Sequence, residues 1–140
     1  MMEQSARYLV FNGIIMLLAG LLAGIPYGTA ITKKSDRRLI EAWRVTHLSL
    51  PVGATLMLAI AALFPSLVIT VSFKWWIAIL YIVSAYGFML SMLLGPPLGH
   101  RGLSPKGSPL AKLVYTGNMI GSVFSLFGTI ALLYAGWLNL

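Results

Sequence analysis

The sequence predicts an all-α integral membrane protein, a four-transmembrane-helix bundle forming one membrane domain over residues 1–140. Three observations predict it. Only 9% of residues are charged and 59% are hydrophobic, whereas a soluble domain carries about a quarter charged residues. The apolar residues gather into four runs, each long enough for the roughly 20 residues that a helix needs to cross hydrocarbon. Almost all the charge falls between those runs, and the mean hydropathy is +0.88.

The first run covers residues 8–31. A cleaved signal peptide would have a shorter apolar core, and Lys33-Lys34 follow this run as a stop-transfer signal would. Gly20, Gly24 and Gly28 recur along it every four residues. Such a small-residue ridge lets helices approach closely and is read as a bundle seam. The second run, residues 47–70, begins at His47, which should therefore start a helix. The third, residues 75–94, opens on Trp75-Trp76, and the fourth, residues 113–138, closes near Trp137. Indole rings favour the boundary between apolar core and headgroups. Residues 95–109 hold four Gly and four Pro and read as an irregular loop.

Polar side chains mark one face of each of the last two spans. On the third they are Tyr81, Ser84 and Ser91, with Phe88 among them. On the fourth, Tyr115, Asn118, Ser122, Ser125 and Thr129 follow one another at steps of three and four. These groups either hydrogen-bond within the bundle or line a small polar-aromatic pocket. Bonding within the bundle is the expectation for the third span, and both readings stand for the fourth.

Eight of the ten Lys and Arg lie in two loops, residues 32–46 and 95–112, leaving only Arg7 and Lys74 for the other side. The positive-inside rule places both loops in the cytoplasm and both termini outside, in a multi-pass protein of the cytoplasmic (inner) membrane. The pI near 10.1 is thus a topology signal whose partners are the lipid bilayer and its anionic headgroups, with no nucleic acid implied.

The chemistry on offer is narrow. No cysteine means no disulfide framework and no thiolate metal site. The three acids all lie outside the spans, so no carboxylate can serve an intramembrane proton relay. Neither a carboxylate pair nor a Ser-His-Asp set can be assembled, and the chain is short for a transporter of inverted repeats. His47 remains, at the mouth of an apolar run, with His100 in a Gly/Pro-rich loop. An imidazole at that depth is an interfacial snorkelling group or a heme ligand. Spacing alone leaves both open.

Around that histidine the chain reads Glu41-x-Trp43-x-x-x-His47, with Pro65-Ser66-Leu67 eighteen residues later. Gly87-Phe88 and Arg101-Gly102-Leu103 follow. In these motifs, and in its plan of one short chain with four spans, it resembles the styrene oxide isomerases, to which hydroxylaminobenzene mutases look like cousins. The resemblance implies a homotrimer that binds heme b near its subunit interfaces, with His47 as axial ligand of ferric iron. It further implies that the iron acts as a Lewis acid in a redox-neutral rearrangement of a small apolar epoxide to a carbonyl compound. A mutase-type intramolecular rearrangement and a noncatalytic heme-binding or accessory membrane protein are the alternatives. Arg44 and Arg101 are the expected partners of the heme propionates, as bidentate readers of carboxylates; for Arg44 a topology charge is an equal reading. The substrate pocket is expected from Gly53, Tyr81, Tyr86, Met89, Tyr115 and Asn118, with no catalytic side chain assigned beyond the heme iron. Three positions depart from the family pattern. Gly53 stands where the family has Asn, Met89 where it has Tyr, and Asn12-Gly13 where it has His-Gly. Met89 would close the sixth iron position if it became a ligand, as methionine does in cytochromes.

Overall fold

A computed structural model describes residues 2–140. It is 83% helical, with no strand among the described residues, and four of its segments are long and apolar enough to span a membrane. These are Gln4–Thr32, Arg37–Ser66, Val71–Leu98 and Pro109–Trp137.

The first span is two helices, α1 (Gln4–Leu22) and α2 (Gly24–Thr32), parted at Ala23. Pro26 has no N–H to offer the Leu22 carbonyl one turn back, and Gly24 and Gly28 hold a helix weakly. The second span, α3 (Arg37–Leu63), starts ten residues before His47. His47 therefore does not begin a helix, contrary to expectation. Hydropathy marks only the apolar part of α3, while Arg37, Arg38, Leu39, Glu41 and Ala42 are helix formers that carry it on into the basic segment. It ends in a 3₁₀ turn, Phe64–Ser66, at Pro65.

The third span, α4 (Val71–Leu98), outruns its expected end at residue 94 and takes in Pro96 and Pro97. Proline costs a helix the N–H that would serve the carbonyl four residues back, here that of Met92. Thr46 of α3 supplies the missing donor, its hydroxyl 2.8 Å from the Met92 carbonyl and 3.0 Å from that of Ala42. Gly99, at φ +66°, then ends α4 in the left-handed conformation, and His100 N–H closes back on the Gly95 carbonyl at 3.0 Å. The last span is α5 (Pro109–Trp137). Ser108 caps it by accepting from Ala111 N–H at 3.2 Å.

Leu9 and Met16 of α1, Leu50, Ala54, Met57 and Ile60 of α3, and Ile77 and Tyr81 of α4 share the core, with Phe64 closing it at one end. In contrast, α5 packs extensively only along α4. That seam is backbone on backbone: a Cβ added at Gly87 would stand 2.8 Å from the Gly117 carbonyl, and one at Gly117 would stand 2.7 Å from the Gly87 carbonyl. Ser84 donates across it to the Gly121 carbonyl at 2.7 Å and Ser91 to that of Val114 at 2.8 Å. Large apolar side chains such as Phe11, Val52, Leu126 and Leu133 face outward, where lipid tails solvate them as well as protein would.

The two ends of the bundle differ. Both basic loops meet at one end, where Arg38 lines a cleft of about 600 Å³ together with His100 and Arg101. At the other end Lys74, counted in the sequence as an outside charge, is 4% exposed. Its ammonium donates to Glu3 Oε1 at 2.9 Å and to the Phe64 carbonyl at 2.6 Å. The positive charge at that end is thereby reduced further.

Candidate functional site

His47 lies on the side of α3 that faces the break between α1 and α2. Its Nδ1 is 2.9 Å from the Gly20 carbonyl. A carbonyl only accepts, so Nδ1 carries the proton, and in the neutral ring Nε2 keeps its lone pair. Nε2 makes no hydrogen bond among the described residues and is not sealed from the surface. The Tyr27 ring stacks on the imidazole, with centroids 6.0 Å apart and planes 29° from parallel.

The local sequence builds this arrangement. Pro51, one turn beyond His47, removes the N–H that would bond the His47 carbonyl. It also presses α3 against α1, where a Cβ at Gly20 would stand 2.8 Å from Pro51 Cγ and 2.9 Å from Leu50 Cβ. Only glycine permits that approach, which brings the Gly20 carbonyl within reach of the ring. A histidine whose Nδ1–H is bound to a backbone carbonyl, with Nε2 free, is the arrangement that metal-ligating histidines adopt. Among the described residues no three His, Cys, Asp or Glu converge to hold a metal ion by themselves. A macrocycle that brings its own four nitrogens needs one such imidazole, and the geometry of His47 fits that need.

The other expected site residues divide into groups. Arg44 stands one turn before His47, exposed, with its guanidinium 3.3 Å from Glu41; an exposed pair of this kind is worth well under about 1 kcal/mol and leaves the side chain free to move. Arg101 lines a second cleft, of about 440 Å³, with Ala42 and Thr46 of α3 and with Met92 and Asn118. Ala42 and Thr46 lie on the flank of α3 turned away from His47. One chain thus keeps Arg101 and His47 on opposite sides of α3. The backbone of the Arg101 loop is firmly set. Asn118 donates to the Arg101 carbonyl at 3.1 Å and to the Gly102 carbonyl at 3.2 Å. Gly102 sits at φ +64°, where a Cβ would lie 3.0 Å from the Val114 carbonyl. This accounts for the glycine of the Arg-Gly-Leu motif and commits the Asn118 amide to the loop.

Tyr81 is 5% exposed and pairs with Thr129, oxygen to oxygen, at 3.0 Å. The polar face of the third span bonds to its neighbour, as expected. On the fourth, Thr129 and Ser125 spend their hydroxyls on the carbonyls of Ser125 and Ser122. The third-span face thus packs on the glycine face of α5, while Ser122 and Thr129 of the fourth-span face stay exposed beside that seam. Tyr81 lies 11 residues from Met92 along α4, about 16 Å at 1.5 Å per residue, and so well away from the level of His47. Tyr115 is half-buried on α5, and its hydroxyl has no partner among the described residues.

Gly53, Tyr86 and Met89 cluster between α1 and the helices opposite. A Cβ at Gly53 would stand 3.3 Å from Met16 Cε, and Met16 shares a narrow crevice with Asn12, Ala85, Tyr86 and Met89. The Tyr86 hydroxyl donates to Asn12 Oδ1 at 2.8 Å, and Asn12 Nδ2 donates to the Tyr8 carbonyl at 2.8 Å. The positions that depart from the family pattern are therefore gathered in one region. Sequence reasoning missed Thr46, Tyr27 and the Gly20 carbonyl as partners. Pro96, four residues after Met92, signalled that a carbonyl would need a donor, but not which residue supplies it. No local signal marked the other two.

None of the curated proteins compared with the chain matches it. A family model described as styrene oxide isomerase does match, over residues 5–137, which takes in all four spans, His47 and the Arg101 loop. On that match, extending over nearly its whole length, the chain belongs to the styrene oxide isomerase family.

Proposed function

We propose that this protein is a heme b-dependent membrane isomerase that rearranges a small apolar epoxide to a carbonyl compound without net redox change. The observation that carries the reading is the His47 imidazole, bound at Nδ1 to the Gly20 carbonyl with Nε2 open. Family membership supports isomerase chemistry. When bound, ferric heme supplies a Lewis acid that polarises the epoxide oxygen, the part a metal plays without proton bookkeeping.

The chain's own residues have separate tasks. His47 would hold the heme iron through Nε2, and its Nδ1–H bond to the Gly20 carbonyl fixes the ring orientation and raises the basicity of Nε2. Arg44, on the polar end of the same helix, would meet a propionate of the heme held by His47. Arg101, across α3, would reach such a group from an adjoining copy, the arrangement of a homotrimer that holds heme between subunits. Met16 and Met89 would give one side of the site an apolar wall that keeps water out, and Tyr86 with Asn12 would give that wall its polar point. Both basic loops face the cytoplasm in this reading.

The test is the absorption spectrum of the detergent-solubilised protein, followed by turnover of a small aryl epoxide under oxidising and reducing conditions. A Soret band that His47→Ala abolishes, with activity confined to the ferric state, is expected. A Soret band unchanged in His47→Ala refutes the ligand assignment.

A further inference from the structure

Gly20, Gly24 and Gly28 form one ridge in the sequence, yet the structure gives them three different surroundings. Gly20 meets Pro51 and Leu50 of α3, and its carbonyl takes the His47 proton. A Cβ added at Gly24 would stand 3.0 Å from His47 Cε1, 3.2 Å from Nδ1 and 3.6 Å from Nε2. One at Gly28 would meet nothing within 4 Å. Tyr27, three residues after Gly24, stacks on the same imidazole. Gly20, Gly24 and Tyr27 are four and then three residues apart, so they share one face across the break between α1 and α2.

We infer that Gly24 is a positioning residue for His47, the hydrogen-sized gap in a three-part seat that holds the imidazole as its Nδ1–H tautomer. The Gly20 carbonyl fixes one nitrogen, and Tyr27 covers one face of the ring. Gly24 leaves room for the edge that carries Cε1 between the two nitrogens. A methyl carbon at Gly24 presses on that edge, closer than nearly all real contacts of a Cβ. The ring answers by rotating, because α3 is fixed at this level by Pro51 on one side and by the Thr46 bond to Met92 on the other. Rotation stretches the Nδ1–Gly20 bond and turns Nε2 away from its present direction. The ridge is then a seat for a side chain at Gly24, where small-residue ridges ordinarily serve as helix seams.

The inference rests on the heme reading only for its consequence, so its test begins in heme-free protein. Histidine labelled with ¹⁵N is introduced into the His100→Gln background, which leaves His47 as the single imidazole. The parent should show one dominant Nδ1–H tautomer, Gly24→Ala a mixed or reversed population, and Gly28→Ala the parent spectrum. Stability adds a second readout. The cost of Gly24→Ala should largely vanish when His47 is also Ala, since the atoms it strikes are gone. In heme-loaded protein, Gly24→Ala should weaken heme affinity by about 10- to 100-fold, the usual effect of disturbing the partner of a ligating histidine. Gly28→Ala should stay within about twofold, as a substitution into open space does. An unchanged tautomer in Gly24→Ala, or an equal stability cost with and without the His47 ring, overturns the inference. Failure of heme to bind the parent protein overturns only the heme reading.

Discussion

Replacing Glu3 by Gln removes the carboxylate beside a buried ammonium. Lys74 Nζ lies 2.9 Å from Glu3 Oε1. At an effective dielectric near 20, two unit charges at that distance attract by about 6 kcal/mol before desolvation is counted. Part of this survives the substitution, since the Gln oxygen still accepts a hydrogen bond and the Phe64 carbonyl remains 2.6 Å from the ammonium. Glu3 is 35% exposed in its side chain, which softens the loss, although its Oε2 is buried without a partner. Breaking a buried pair by deleting one partner costs about 3–5 kcal/mol, and the low end, about 3 kcal/mol, is expected here. The uncompensated charge is the cause, so Lys74→Met in the Glu3→Gln background should recover most of the loss. The assay is equilibrium unfolding in mixed detergent micelles, followed by tryptophan fluorescence, to which Trp75 contributes, next to Lys74 in sequence and packed at a tilt on Tyr8 with centroids 5.3 Å apart. A Glu3→Gln protein within about 0.5 kcal/mol of the parent, the level of an ordinary surface change, would refute the reasoning.

Reporter fusions should place the C-terminus outside and residues 104–106 in the cytoplasm; a cytoplasmic C-terminus contradicts the charge argument. Thr46→Val leaves the Met92 carbonyl without its donor and should cost about 1–3 kcal/mol in the same unfolding assay. Gly117→Val forces a side chain into the Gly87 carbonyl and should cost about 3 kcal/mol or more, whereas Gly136→Ala, which meets nothing within 4 Å, should be neutral. Arg44→Gln should weaken heme binding while leaving the His47-ligated Soret position in place, read by titration of heme into the heme-free protein.

The spans were legible because twenty-odd apolar residues have few other uses. Their ends were less so. The polar start of α3 around Arg38 and Glu41 is helical for reasons of backbone propensity, which hydropathy does not register. The last turn of α4 was hidden by Pro96-Pro97, since proline reads as a loop unless the freed carbonyl is known to find a donor. That donor, Thr46, is 46 residues away, and no local pattern announces it. His47 stood out because so few groups of its kind exist in the chain. Its setting did not, because the Gly20 carbonyl is backbone and looks alike at every position. The small-residue ridges were visible, but not which partner each glycine admits. Gly87 and Gly117 admit each other's backbone; Gly24 admits a ring.

The two serine bonds across the α4–α5 seam have a mechanical consequence. Ser84 and Ser91 are seven residues apart, and so are the carbonyls they reach, Val114 and Gly121. Seven residues make nearly two helical turns, so both rivets lie along one line. In hydrocarbon no water stands ready to replace a broken bond. Sliding α5 by half a turn, about 2.7 Å, would strip both hydroxyls at once and drive side chains into the glycine backbones. The helix can swing as a rigid rail with α4, but it cannot creep along it. The α4–α5 pair is therefore a fixed frame, against which α1 and α3 pack through separate seams.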